Sequence, residues 1–153
     1  MNQIPRCTLV PTRLCNEKGP RCFLSEVAPL EDSEKVKTAE VPQYESTLVY
    51  TGAEVPELYN VLKALPGCAE HYKVAASIKD GWLHLAVAEG ERLLFANVFR
   101  APAFSTAEYF IFNVMKSLQL NLEMSSVYFL SPLTREEKLS LYRYVKSVER
   151  LWG

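Results

Sequence analysis

The chain of 153 residues is short of several things, and each shortage removes a class of function. Neither sign of charge dominates: 17 Lys and Arg stand against 18 Asp and Glu, a net charge of −1. Without a basic or acidic excess there is no overall field to draw nucleic acid or an anionic membrane surface. No stretch approaches the roughly 20 consecutive apolar residues needed to span a bilayer, so membrane insertion is not expected. The opening residues, Met1-Asn2-Gln3-Ile4-Pro5-Arg6-Cys7, lack the basic segment and apolar core of a secretory signal, and the expected location is the cytoplasm. There Cys7, Cys15, Cys22 and Cys68 are expected as reduced, mostly buried thiols rather than a disulfide framework. Internal repeats and low-complexity tracts are absent as well.

What remains has the composition of a folded globular domain, 48% apolar and 23% charged, values close to the average. Its length suits one ordinary domain or two small lobes sharing a core. The most strongly patterned stretch runs from Trp82 to Leu118. Leu83, Leu85 and Val87 alternate with His84, Ala86 and Ala88, a period of two that sets the large apolar residues on one face of a strand. Glu89-Gly90 supplies a turn, since glycine tolerates the positive φ of tight hairpins. The return strand over residues 92–99 is apolar on both faces, Leu93, Phe95 and Phe99 on one and Leu94, Ala96 and Val98 on the other, which calls for cover on both sides. After Pro102, Ser105-Thr106-Ala107-Glu108 matches a capping box and opens a helix to about Leu118.

On either side of this unit the signals are shorter. Residues 6–10 form a β-prone run stopped by Pro11, which fits a strand edge. Residues 13–27 allow two short helical pieces around Gly19-Pro20. Residues 28–43, charged and poor in large apolar side chains, read as a solvated loop. A strand at residues 47–51 leads to a helix over residues 55–65, where Leu58, Val61, Leu62 and Leu65 share one face. Residues 71–76 are a weak strand. Residues 127–130 are a wholly apolar, buried strand, and Thr134-Arg135-Glu136-Glu137 caps a helix expected to continue to Val148, with Leu141, Tyr142, Val145 and Val148 as its buried stripe.

Several of these segments together resemble a known family. Leu93-Leu94-Phe95-Ala96-Asn97-Val98-Phe99, Thr106-Ala107-Glu108-Tyr109-Phe110-Ile111-Phe112, the strand at residues 127–130 and Leu141-Tyr142-Arg143-Tyr144-Val145 are similar to an uncharacterised bacterial family whose members carry an actin-like ATPase fold. Thr8-Leu9-Val10-Pro11 resembles that family's early strand. The resemblance implies a relative of the pilus-assembly and cell-division actin-like proteins, and no particular activity. It implies an α/β (α+β) fold of shortened actin-like ATPase or ribonuclease H-like lobes, mixed sheets with helices packed on them. The lobes are expected at residues 1–78 and 79–153, packed as one compact unit. Family members are longer, so this chain is expected to lack part of one lobe.

Actin-like ATP hydrolysis needs backbone loops against phosphate and an aspartate to hold hydrated metal. Here the hairpin turn is Ala88-Glu89-Gly90-Glu91, whose carboxylates would repel phosphate, and the strand at residues 127–130 is followed by Ser131-Pro132-Leu133, where proline removes an amide donor. No catalytic residue, metal or cofactor is therefore assigned. Cys68 and His71 have the spacing of a zinc half-site, but Cys15 and Cys22 are too far apart in sequence to complete it. His84 has no identifiable nucleophile. Asn97, within an apolar strand, is expected to be a paired buried amide or part of a pocket. Tyr109, Phe112, Tyr142 and Tyr144 cannot all face one core, because neighbours such as Tyr142 and Tyr144 project about 200° apart on a helix. They form a candidate protein interface. The expected function is thus a non-catalytic interaction or scaffold protein, a homodimer or bound to an unidentified protein partner. The alternative is a degenerate nucleotide- or metabolite-binding module with its ligand between the lobes, near Glu89, Gly90, Asn97 and Ser131.

Overall fold

A computed structural model describes residues 7–20, 24, 35–52 and 54–151. The first sheet has three strands. β1 (Cys7–Pro11) and β2 (Lys37–Val41) both pair antiparallel with β3 (Ser46–Tyr50), which lies between them. Pro11 ends an edge strand, where its missing N–H interrupts no ladder. Helix α1 (Thr12–Lys18) follows directly, the first of the two helical pieces expected there. The loop expected over residues 28–43 is in part a strand. β2 is charged because it is an edge, with Val41 as its one buried residue, and edge strands carry solvated side chains where central ones cannot.

The second sheet has five strands in the order β6-β5-β4-β7-β8. β4 (Tyr72–Lys79), β5 (Trp82–Glu89) and β6 (Arg92–Arg100) form successive antiparallel hairpins. Asp80 and Gly81 join the first two at φ 54° and 80°, the paired positive angles of a type I′ turn. β7 (Ser126–Phe129) then pairs parallel with β4, and β8 (Ser147–Arg150) parallel with β7. The long crossovers these parallel pairs need are made by α3 (Phe104–Ser117) and α4 (Arg135–Tyr142). This is the ribonuclease H-like sheet–helix lobe that the resemblance implies. β4 runs to Lys79, so the sheet continues across the boundary expected between residues 78 and 79.

Three local expectations are corrected. Leu94 is the extra residue of a β-bulge, since Ala88 pairs with Leu93 and Val87 with Phe95. A bulge breaks strict alternation. Leu94 therefore joins Phe95 and Phe99 on the α3 side, and Leu93 joins Ala96 and Val98 on the opposite side. α3 begins at Phe104 behind an uncapped Ala103, so Ser105 and Glu108 do not form a capping box. Packing of Phe104 against the core sets that start. Finally, α4 stops at Tyr142 and Val148 lies on β8, opposite Val127. All four residues of β7 are buried, and the outer ladder groups of a buried strand need a partner, which β8 supplies.

Both faces of the five-stranded sheet are covered, so β5 is buried from Leu83 to Ala88. On one face, Leu83, Leu85, Val87 and Phe129 meet Ile111 and Met115 of α3 and Leu141 of α4. On the other, Ala75, Ala86 and Ala88 let helix α2 (Glu57–Ala64) approach with Leu58, Val61 and Leu62. Val41 and Leu48 of the first sheet enter that same cluster, so one core spans both sheets. Among the described residues no helix is long and apolar enough to cross a membrane.

Candidate functional site

Glu89 and Gly90 lie together at the β5–β6 turn. Gly90, at φ 57°, donates its N–H to the His71 carbonyl at 2.7 Å, and a Cβ there would meet the His71 ring at 3.4 Å. The His71 ring nitrogen Nε2 lies 3.8 Å from the Glu89 carboxylate. The turn, His71 and the loop at residues 42–46 enclose an open groove of about 920 Å³. Glu45, Glu89 and Glu91 outnumber Arg92 on its walls, so a phosphate group meets net negative charge there. This turn nonetheless follows the second strand of the sheet. The turn after the first strand is Asp80–Gly81, and two residues offer too short a run of free N–H groups to cradle phosphate.

Ser131 sits at the other end of β4. Its Oγ accepts the Ile78 N–H at 3.0 Å, tying the exit of β7 to β4. Tyr72 pairs with Glu89, so roughly 20 Å of strand separates Ser131 from the Glu89 turn at about 3.3 Å per residue. Asn97 is brought to neither. It is exposed on β6, and its Oδ1 accepts the N–H of Val98 at 2.8 Å. The expectation of a buried amide fails because β6 is an edge strand, whose alternating face is open at that point.

Near Ser131 the fold assembles a polar group that the sequence did not reveal. Ser77 on β4 stands opposite His84 on β5, and Ser77 Oγ donates to Glu57 Oε2 at 2.5 Å. Glu57 Oε1 accepts from Asn60 Nδ2 at 2.8 Å, so both carboxylate oxygens are held. His84 is only 4% exposed and its Nδ1 has no hydrogen-bond partner. Burial lowers its pKa to about 4, with Lys79 adding to the shift and Glu57 opposing it. The buried imidazole is thus held in its neutral form at neutral pH. The available signal was the Asp80-Gly81 turn: once it fixes the hairpin register, Ser77 and His84 become neighbours.

Beside this group an indentation of about 640 Å³ is lined by Glu57, Asn60, Lys63, Leu130, Arg150 and Leu151 among others. It opens at the carboxyl ends of the parallel strands β7 and β8.

The four aromatic residues divide. Phe112 and Tyr144 meet with ring centroids 5.0 Å apart. Tyr109, one turn earlier on α3, is 64% exposed and lies edge-on to Phe110 at 5.6 Å. Tyr142 and Tyr144 are 48% and 47% exposed. Tyr142 is the last residue of α4 and Tyr144 lies in the turn that follows, so the two do not sit on opposed faces of one helix. Tyr142 donates to the Val148 carbonyl at 3.4 Å.

Cys7, Cys15 and Cys68 carry free thiols, while Cys22 lies outside the described residues. Burial pushes Cys7 up to about 11 and Cys68 up to about 12, the latter opposed by Lys73, so neither is a reactive thiolate. Cys15 and Cys68 belong to different core clusters, His71 is exposed, and no group of metal-ligating side chains occurs among the described residues.

Residues 57–148 match the model of a family described as a protein of unknown function, DUF3822. Among solved structures, a protein from Bacteroides thetaiotaomicron with an actin-like ATPase fold and unknown function superposes with a TM-score of 0.74 at 18% identity, over 95% of this chain and 64% of that one. A chain of a PilM–PilN type IV pilus biogenesis complex gives 0.54 at 11% identity, over 95% of this chain and 65% of that one. This chain thus spans just under two thirds of the length of either. No curated protein sequence matches it. The fold is that of the actin-like ATPases.

Proposed function

The chain belongs to the DUF3822 family of proteins of unknown function, and on that premise we propose that it is a non-catalytic interaction module on an actin-like fold, whose partner protein docks on the aromatic face of α3 and the α4–β8 turn. The observation that carries this is the exposure of Tyr109, Tyr142 and Tyr144, joined through the contact of Phe112 with Tyr144; Val55, Tyr72, Met124 and Leu139 are exposed as well. Tyrosines of this kind present large apolar area with a polar tip and are enriched in interfaces. Exposed Lys116, Arg143 and Lys146 flank them, which favours an apolar segment with acidic neighbours. The PilM–PilN structure, in which a protein of this fold sits in a complex, lends support. A bacterial cytoplasmic setting belongs to the reading, supported by the source of the Bacteroides relative and by the free thiols.

The test is stoichiometric capture of a protein from extract of the native cell. Tyr109→Ala and Tyr144→Ala are expected to abolish it while Glu136→Ala, on exposed α4 surface, leaves it intact. Capture that ignores both tyrosines would refute the docking face.

A second reading, a degenerate nucleotide or metabolite module, finds support in the indentation beside Leu130 and Arg150, since open α/β sheets bind ligands outside the carboxyl ends of their strands. Millimolar ATP, ADP and magnesium would then raise the melting temperature, and no response would remove nucleotides from consideration.

A further inference from the structure

β6 is the outermost strand of its sheet and nine residues long, and among the described residues no strand pairs with its outer side. Long apolar edges of this kind template further pairing unless they are blunted. The ladder to β5 fixes which backbone groups point outward. Ala101 donates its N–H to the Gly81 carbonyl at 2.8 Å, so Trp82 and Arg100 form a pair without hydrogen bonds of its own. Antiparallel pairs alternate. His84–Val98 and Ala86–Ala96 are therefore of the same kind, and both Ala96 and Val98 direct their N–H and C=O groups away from β5. One of these groups is already satisfied, because the Val98 N–H donates to the side chain of Asn97.

We propose that a second copy of this chain adds to this edge, β6 to β6 and antiparallel, in the register that sets Asn97 opposite Asn97 of the second copy. In that register Ala96 faces Val98 of the other copy, and their outward groups exchange hydrogen bonds on both sides of the twofold axis. Phe95 faces Phe99, an aromatic cross-strand pair that extends the stack already formed within one copy by Phe95 and Phe99 at 6.0 Å and by Phe99 and Phe110 at 4.6 Å. Asn97 changes partner. Alone, its amide covers the Val98 N–H; in the pair it turns to the amide of the facing Asn97 and leaves that N–H to the ladder.

Charge disfavours the neighbouring register on one side, and the Phe95–Phe99 and Asn97–Asn97 pairings favour this one. The register centred on Ala96 would set Arg92 directly opposite Arg100, a like-charge pair, whereas centring on Asn97 sets Arg100 opposite Leu94. Antiparallel docking also brings the end of the sheet that carries Glu89, Glu91 and Arg92, net −1, toward the end that carries Lys79, Asp80 and Arg100, net +1, in the other copy. A chain of net charge −1 meets little overall self-repulsion. The interface is isologous and closes at two copies. It shares no residue with the α3 aromatic face and stands whether or not that face binds a partner.

The experiment is analytical ultracentrifugation of the purified full chain over a wide concentration range, with circular dichroism to show that each variant is folded. Wild type is expected to pass from one-chain to two-chain mass as concentration rises. Asn97→Asp keeps an acceptor for the Val98 N–H but faces one carboxylate with another, and should weaken the dimer about tenfold or more at neutral pH. Ala96→Pro removes an outward donor without touching the β5 ladder and should abolish it. Tyr144→Ala should change nothing. A strict monomer at the highest concentration, a dimer indifferent to both β6 variants, or one lost with Tyr144→Ala would each overturn the proposal.

Discussion

His84 faces Ser77 across the β4–β5 ladder, on the side covered by α2. Ser77 donates its O–H to Glu57, and His84 Nδ1 is buried without a hydrogen-bond partner. An unfolded chain would hold this histidine near its ordinary 6.5, and the folded chain holds it near 4. Between those values the unfolded state binds more protons, so stability rises with pH across the window. The contribution is complete above about pH 6.5 and is lost on acidification to about pH 4, for a total of about 3 kcal/mol. His84→Leu removes that titration. Urea midpoints of the two proteins, measured from pH 7.5 to 4, should therefore diverge in favour of the variant below pH 6.5; parallel curves would show that burial does not hold the imidazole neutral. The same position shows how far a single residue can be read. His84 was legible as the polar member of an alternating strand, and its neutrality was not, because that depends on α2 closing over it.

Whether a signal survives into an element depends on what competes with it. Both capping boxes were equally clear in sequence, yet only the one at α4 forms. Thr134 Oγ1 accepts from the Glu137 N–H at 3.1 Å, and Glu137 Oε1 accepts from the Thr134 N–H at 2.8 Å. Surrounding side chains there are exposed, so local chemistry decides the start of the helix. At α3, packing of the partly buried Phe104 pulls the start two residues earlier and leaves Ser105 outside the cap position. Thr134→Ala should accordingly cost about 1 kcal/mol. Hydrogen exchange would speed up in the first turn of α4, while Ser105→Ala, which removes no cap, should leave both stability and exchange at α3 unchanged. An equal loss from the two substitutions would contradict the assignment. Strand β8 illustrates the opposite limit. Ser147-Val148-Glu149-Arg150 has no strand signature and continues a helical period, and only the ladder offered by β7 makes it a strand. The bulge at Leu94 was hidden for a related reason, since periodicity assumes the ladder that a bulge interrupts.

At the scale of the molecule, the fold was legible through its strongest unit, the β5–β6–α3 stretch, and through the resemblance built on it. Sequence divided the chain at residues 78/79 into two lobes packed as one compact unit, and the residues that join the sheets come from both sides of that division: the cluster around α2 draws Val41 and Leu48 from the first sheet and Ala75, Ala86 and Ala88 from the second. Leu62 lies at the centre of it, completely buried. If that cluster couples the sheets, the chain unfolds as one cooperative body. In a Trp152→Phe background the fluorescence of Trp82, on β5, reports the five-stranded sheet, and far-ultraviolet circular dichroism reports both sheets together. The two denaturation curves should coincide in that background. Leu62→Ala removes buried volume shared by both sheets and should destabilise the chain by about 2–5 kcal/mol. Coupling also requires that the two curves of the variant move together, because the first sheet keeps only the small cluster of Val10, Cys15, Leu24 and Val49 to itself and leans on the shared one. A dichroism transition that splits from the fluorescence one, in either protein, would mean that the first sheet folds on its own account and that the α2 cluster is an interface between two bodies.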